Sequence, residues 1–336
     1  MGGKNTKVIA EAGVNHNGEL VIAKKLVDAA KKIGADYIKF QLFDTKSLVT
    51  KKTNLAQYQK KAFNKDISQF ELLKSLELNK NDIIKIINYT KKKKINFLAS
   101  SFDINSAKFL YNIGIDTFKI PSGEINNIPY LECIGKFKKK IILSTGMSNI
   151  KEIKLAIQTL VKFGSKKKDI VVLHCNSEYP SPIEDINMKA MLTIKKECNV
   201  EIGYSDHSNN IEVPIAAAAL GAKIIEKHLT LDRNMKGPDH KASLNPKKFK
   251  IMIDNIKNTE IILGSSKKFP TFSEIRNMKF VRKSIVALKN IKKGEKFSKL
   301  NLTIKRPGYG IPPTKYKNIL GKKSNRNYLK DELIIK

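Results

Sequence analysis

Two of the five histidines close short apolar runs in one stretch of the chain. VEIGYSDHS (200–208) ends in Ser205-Asp206-His207, and AKIIEKHLT (222–230) ends in Glu226-Lys227-His228. Between them NNIEVPIAAAALG is long enough for a helix. A strand–helix–strand unit lays its two strands parallel, with both C-terminal ends at one edge. His207 and His228 are therefore expected side by side, flanked by Asp206 and Glu226. Neutral imidazoles beside carboxylates suit a divalent transition metal. For one histidine, a polar strand end is the plainer account. Two in equivalent places on neighbouring strands favour the metal.

Other strand-like runs carry charge where apolar residues are the rule. Glu11 lies within VIAEA, Lys39 within DYIKFQ and Lys119 within TFKI. A carboxylate there is costly unless paired. A single lysine could snorkel at a strand end. Two lysines, with Ser122, Ser144 and Ser205 at other strand ends, make an anion pocket for phosphate or carboxylate. EAGVNHNGE (11–19) crowds Asn15, His16 and Asn17 after the first run, although an Asn- and Gly-rich turn is common anywhere. Tyr179 in SEYPSP lines a pocket or stiffens a turn. Asp239 and His240 in GPDHKASL reach substrate or cap the next helix.

These groups must be held by a regular frame. The apolar runs 8–12, 36–41, 95–100, 117–120, 140–145, 170–175, 200–205 and 222–228 alternate with helix-length segments. LVIAKKLVDAAKKIG (20–34) and IKEIKLAIQTLVKFG (150–164) show a 3.6 period and close on glycine. Eight such pairs predict a TIM barrel, the last helix being 246–264. A doubly wound open sheet has the same alternation but gathers its chemistry at one switch point. Here nearly every strand ends in polar groups: Glu11, Lys39 and Gln41, Ser100 and Ser101, Lys119, Ser144 and Thr145, His174, Ser205 to His207, and Glu226 to His228. That suggests a ring around one barrel mouth. An excursion from Asp44 to Asn79, with a helical QFELLKSLEL (69–78), is expected over the mouth or rim. Residues 1–264 form the barrel domain in this reading, 265–283 a linker without period, and 284–336 a small β-rich module with an irregular PGYGIPP segment. So short a module should dock on something.

Net charge is +33, which raises the question of a nucleic-acid partner. Only five of the 64 basic residues are arginine, and the lysines are scattered among many Ile and Asn. Nucleic-acid readers lean on the arginine fork. The lysines read as a solvated surface set by AT-rich codons, so no nucleic acid is expected. No apolar run approaches the ~20 residues of a membrane helix, so no membrane partner is expected either. MGGKNTKVIAEAG lacks a signal-peptide core, and Cys133, Cys175 and Cys198 show no metal-type spacing. A cytoplasmic protein with reduced thiols is expected.

IAEAGVNHNG, KIPSGE, ILSTGM, GYSDHS, EKHLTLD and GPDHKASL, followed by RKSIVA, IKKGE and KRPG, resemble the sialic acid synthase family over nearly the whole chain. The resemblance implies a TIM barrel followed by an antifreeze-like SAF domain, in a domain-swapped homodimer. It implies condensation of phosphoenolpyruvate with an N-acylated hexosamine, N-acetylmannosamine or a 2,4-diacetamido-trideoxyhexose. The products are a sialic-acid-type nonulosonate and phosphate. By the same resemblance His207 and His228 hold Mn2+ or Mg2+. Lys39, Ser100, Lys119, Ser122, Ser144, Ser177 and Ser205 contact phosphoenolpyruvate. Glu11 and Glu226 are the catalytic carboxylates, and Gln41, Glu124, Tyr179 and Asp239 lie on the sugar side. Arg306 reaches the neighbouring subunit's substrate. Two departures stand out. Ala99-Ser100-Ser101-Phe102 replaces the STPF of many relatives, and Glu178 replaces an apolar residue, which bears on the exact sugar.

Three other readings compete. Pseudaminic acid synthase belongs to the same class. A nucleic-acid binder would leave the strand-end residues unexplained. A non-catalytic carbohydrate- or ice-binding protein would have lost the barrel-mouth residues, which are all present.

Overall fold

The computed structural model describes residues 6–62 and 67–335. Eight parallel strands close into a barrel in chain order. They are β1 (Lys7–Gly13), β2 (Tyr37–Leu42), β3 (Asn96–Ser101), β4 (Thr117–Ile120), β5 (Lys140–Ser144), β6 (Ile170–Cys175), β7 (Glu201–Asp206) and β8 (Ile224–His228). β1 pairs with both β2 and β8, which closes the ring. The TIM barrel expected from the alternation is the fold, with strand ends shifted by a residue or two.

Helices cover the outside. α1 (Leu20–Ile33) follows β1. The excursion after β2 contains α2 (Thr45–Leu48), α3 (Gln57–Ala62) and α4 (Gln69–Leu76) before α5 (Lys80–Lys93). Part of that excursion, 63–66, lies outside the described residues. α6 (Ile104–Asn112), α7 (Ile128–Lys136), α8 (Ile150–Lys162), α9 (Ala190–Cys198), α10 (Glu212–Ala219) and α11 (Pro246–Leu263) alternate with the remaining strands. α1 shows why they form. Ala23, Leu26, Val27, Ala30 and Ile33 make one buried stripe, and Gly34, at φ 81°, caps the end in the left-handed region. α8 opens with a capping box in which Asn149 and Glu152 satisfy each other's backbone N–H groups.

The barrel interior sets the depth of everything above it. Ile9, Leu98, Ile142 and Leu173 pack into one apolar cluster. Side chains alternate along a strand, so a residue two positions on faces the same way. Two positions on from these four stand Glu11, Ser100, Ser144 and Cys175. Gly203 makes room for the plug: a Cβ there would lie 2.5 Å from Leu173 Cδ2 and 2.3 Å from the Ile224 carbonyl oxygen.

The expectation that every polar strand end belongs to one ring needs correction. Ser101 bonds Tyr130 Oη at 2.8 Å, Thr145 Oγ1 donates to the Leu173 carbonyl, and His174 Nε2 bonds the Ile186 carbonyl. Asp206 pairs with Lys227. Each is a neighbour of an inward-facing residue, so its side chain leaves on the opposite side of the strand.

The chain divides into two compact units, Met1–Gly264 and Ser265–Lys336. In the second, β9 (Ser284–Ala287) and β10 (Leu302–Lys305) pair antiparallel. Ile285, Ile291, Phe297, Leu302, Ile319, Tyr328 and Ile334 form its core. The segment expected to be a linker carries a helix, α12 (Phe272–Val281), capped by Thr271 and Glu274. None of its residues is buried, so no apolar period marks it in the sequence. Among the described residues, no helix is long and apolar enough to cross a membrane.

Candidate active site

A cavity of about 640 Å³ opens at the C-terminal ends of the barrel strands. The barrel residues to which the resemblance gives a role all line it: Glu11, Lys39, Gln41, Ser100, Lys119, Ser122, Glu124, Ser144, Ser177, Tyr179, Ser205, His207, Glu226, His228 and Asp239; Asn15, His16, Asn17, Asp206 and His240, also singled out in the sequence, do not. Arg306 lies in the other unit, where its Nε donates to the Val281 carbonyl at 3.0 Å.

The floor is an ionic cluster cut off from water. Lys39 Nζ lies 2.8 Å from Glu11 Oε2 and 2.8 Å from Glu226 Oε1. Lys119 Nζ lies 3.2 Å from Glu226 Oε1, and Ser205 Oγ donates to the same oxygen at 2.9 Å. That oxygen therefore collects three donors, while Glu226 Oε2 has no hydrogen-bond partner. Burial works to raise the pKa of Glu11. His228 and the Lys39 and Lys119 ammonium groups outweigh it and hold the carboxyl well below the usual carboxylate range. The lysines diverge for a geometric reason. Burial works to lower both, but Lys39 faces two carboxylates and is raised, whereas Lys119 faces one, sits beside Lys39 and is lowered.

The serines sit beside the lysines. The hydroxyls of Ser100 and Ser144 are buried without a partner. Ser122 Oγ accepts from the Gly146 N–H at 3.0 Å and contacts Cys175 Sγ at 3.3 Å. A Cβ on Gly146 would lie 2.1 Å from Ser177 Oγ and 3.0 Å from Ser122 Oγ, so glycine there keeps a small space between two hydroxyls. Lysines with unsatisfied donors around a space of this kind fit an oxyanion.

The histidines stand together, with ring centroids 5.6 Å apart, and Tyr179 packs 4.2 Å from the His207 ring. His207 Nδ1 lies 2.5 Å from the Asn176 carbonyl, which can only accept. The proton is therefore on Nδ1, and Nε2 keeps its lone pair. Burial, reinforced by His228, lowers the His207 pKa to about 3, so the ring stays neutral. His228 Nε2 lies 3.5 Å from Glu11 Oε2, and its Nδ1, 3.8 Å from Asp239 Oδ2, has no hydrogen-bond partner. Burial raises the Asp239 carboxyl, as it does that of Glu124. The expected flanking carboxylates are thus corrected. Asp206 faces away and Glu226 serves the lysines, while Glu11 and Asp239 approach His228.

Residues 26–268 match the NeuB family, and residues 282–335 match the SAF domain. The chain belongs to the NeuB family. It is 49% identical to the N,N'-diacetyllegionaminic acid synthase of Campylobacter jejuni, over 98% of this chain and 99% of that one. It is 36% identical to the pseudaminic acid synthase of the same organism, over 96% and 94%. A solved structure of N-acetylneuraminic acid synthetase from Leptospira borgpetersenii, in complex with citrate, superposes with a TM-score of 0.72 at 35% identity. That match covers 83% of this chain and 92% of the other.

Two features of this NeuB-family cavity suit a divalent metal. One is the pair of imidazole nitrogen donors at His207 and His228, with His228 Nδ1 buried and unpartnered. The other is the charge on the floor, where two ammonium groups already face two carboxyl groups. A polyanionic substrate arriving there calls for added positive charge. Among the described residues, no cluster of three or more His, Cys, Asp or Glu side chains forms a ready-made metal cage. The two histidines would leave the other coordination positions to water or substrate.

The excursion after β2, expected over the mouth or rim, supplies one wall of the cavity, but which of its residues face inward was not legible in the sequence. Leu48, Val49, Leu72, Leu73 and Leu76, from the excursion after β2, join Val14, Phe43 and Phe102 in lining it. Several of them form a separate apolar cluster. Leu72 and Leu76 share one face of α4, but whether that face meets the cavity depends on how the short helices of the excursion pack. Gly146 and Cys175 were missed as well.

Proposed function

We propose that this NeuB-family enzyme uses a 2,4-diacetamido-trideoxyhexose as its acceptor and that the barrel cavity is its active site. The family gives the reaction class. The protein is a phosphoenolpyruvate-dependent nonulosonate synthase, joining phosphoenolpyruvate to an N-acylated hexosamine with release of phosphate. What carries the site reading is the pair Lys39 and Lys119 beside the unpartnered Ser100 and Ser144 hydroxyls. The choice of sugar rests on two supports. The relative named for N,N'-diacetyllegionaminic acid makes a product with two N-acetyl groups. The apolar wall suits acetyl methyls and a deoxygenated C6. A 6-phosphorylated sugar would need cations there. Among the described lining residues, the only lysines are Lys39 and Lys119, on the floor.

In this reading Lys39, Lys119, Ser100, Ser122, Ser144, Ser177 and Ser205 hold the phosphate and carboxylate of phosphoenolpyruvate. Gln41, Glu124, Tyr179 and Asp239 contact the open-chain sugar. C3 of phosphoenolpyruvate bonds to the aldehyde carbon, whose oxygen takes up a proton. Water adds to the cation left at C2 and gives up one proton; the C2 hydroxyl then becomes the keto group as the C–O bond to phosphate breaks, and its proton leaves with the phosphate. Carboxyls with pKa values pushed apart divide the proton work. Glu11, held ionised, accepts; Asp239, raised by burial, is the better donor. Glu226 orients both lysines. Synthases of this family are metal-dependent in general. His207 and His228 would hold the divalent ion, Mn2+ or Mg2+, whose chemistry when bound is Lewis-acid polarisation of the aldehyde.

The same reading includes a cytoplasmic homodimer in which Arg306 serves the partner's site. Its support is α12, where Phe272 is 76% and Phe280 69% exposed, an apolar surface that a second copy would cover. Phosphate release from phosphoenolpyruvate tests the acceptor, using the 2,4-diacetamido-trideoxyhexose, N-acetylmannosamine, its 6-phosphate and the pseudaminic acid precursor. The first should turn over with the highest kcat/KM. Preference for the 6-phosphate would overturn the reading of the apolar wall.

A further inference from the structure

One buried charged pair beside the cavity has no part in the chemistry above. Asp206 and Lys227 are register partners on β7 and β8, each immediately before one of the two histidines. Both side chains are fully buried, and neither lines the cavity. Strand alternation explains the arrangement: Ser205, His207, Glu226 and His228 face inward, so Asp206 and Lys227 face the helices. Lys227 Nζ pairs with the Asp206 carboxylate and donates to the Ser208 carbonyl at 2.7 Å. Asp206 also accepts from the Ser208 N–H at 2.9 Å and from its hydroxyl at 3.2 Å. Both chain neighbours of His207 are thus tied to the lysine that precedes His228.

We propose that Lys227 and Asp206 form a clamp that fixes His207 relative to His228, making them positioning residues for the metal seat. Stability alone gives little reason to keep the pair. Apolar residues of similar volume often replace a buried ion pair without loss, because desolvation consumes much of the Coulomb gain. Directional bonds do what apolar packing cannot: they fix where residues 206–208 leave the strand. The inward histidines need that direction, since a ligand pair works only if its two nitrogens converge on one point.

The inference rests on the reading that His207 and His228 seat a divalent ion, and its test separates the two. Mn2+ binding to the full-length protein is measured by electron paramagnetic resonance, and folding by circular dichroism. The charge-free double variant Asp206→Leu/Lys227→Met should fold, melting somewhat below wild type because the buried Ser208 groups lose their partners, and should bind Mn2+ at least tenfold more weakly. Ser208→Ala, which removes one bond to Asp206 and no charge, should show a smaller loss in the same direction. Wild-type Mn2+ affinity in the folded double variant overturns the clamp. If the double variant does not fold, wild-type affinity in Ser208→Ala overturns it. A wild-type protein that binds no Mn2+, with His207→Ala indistinguishable from it, overturns the metal seat and the clamp together.

Discussion

Glu11 and His228 are register partners on adjoining strands, and the carboxylate Oε2 lies 3.5 Å from the imidazole Nε2. The same oxygen is 2.8 Å from Lys39, so one carboxylate joins the lysine floor to the histidine side of the cavity. Glu11→Gln keeps the shape and removes the charge. We expect kcat to fall by about 10²–10⁴-fold, the usual contribution of a positioned acid or base. Steady-state phosphate release checks this, with circular dichroism to confirm folding; wild-type turnover would remove Glu11 from the proton path.

Lys119→Met removes one of two ammonium groups from the floor. Charge-assisted hydrogen bonds contribute roughly 1.5–3 kcal/mol, so phosphoenolpyruvate should bind about tenfold or more weakly. Calorimetric titration reads this directly. Equal affinity in the variant would place the phosphate elsewhere.

Gly146→Ala puts a methyl group where the Ser122 and Ser177 hydroxyls converge. Both hydroxyls can rotate aside, so we expect folding near wild type. The KM for phosphoenolpyruvate should rise roughly two- to tenfold, the cost of a lost hydrogen bond. A variant with unchanged KM would show that the space between the two serines is not used.

Burial lowers the pKa of His16 to about 4, of His240 to about 4 and of His207 to about 3, from an ordinary 6.5. Below pH 6.5 the unfolded chain takes up protons that these folded rings refuse, so stability should fall as pH drops from 6.5 towards 4. Asp239 and Glu124, raised by burial, offset part of this, because they take up protons more readily when folded. His240→Gln should flatten the slope of unfolding free energy against pH by up to ~1.4 kcal/mol per pH unit. Urea melts across that range measure it, and a slope as steep as wild type would rule out His240 as a contributor.

Arg306→Ala with an intact barrel and Glu11→Ala with an intact small unit should each be inactive. In a swapped heterodimer one site carries both defects and the other neither. Co-expression should therefore restore part of the activity. Heterodimers as inactive as either parent would mean that Arg306 does not act across subunits.

The order and number of barrel strands could be read from the sequence because helices and strands differ in period. The inward face of each strand could not. All-parallel strands are buried on both sides, so alternation of polarity is lost. Lys39 and Lys227 look alike in sequence, yet one reaches the cavity and the other lies beneath the helices. Ser100 and Ser101, and His174 and Cys175, posed the same problem. The helix at 272–281 could have been found from Thr271 and Glu274, whose spacing is that of a capping box, but it buries no stripe.

The strict in-and-out order of Ser205, Asp206 and His207 against Glu226, Lys227 and His228 has an evolutionary corollary. Deleting or inserting one residue early in β8 would turn the whole strand over. Lys227 would then point into the cavity, and Glu226 and His228 would go under the helices. Such a frame error costs the lysine floor, the histidine pair and the buried clamp in one event. Point substitutions can explore this strand one property at a time, but changes in its length cannot, so variation in length should be confined to the loops that follow the strands.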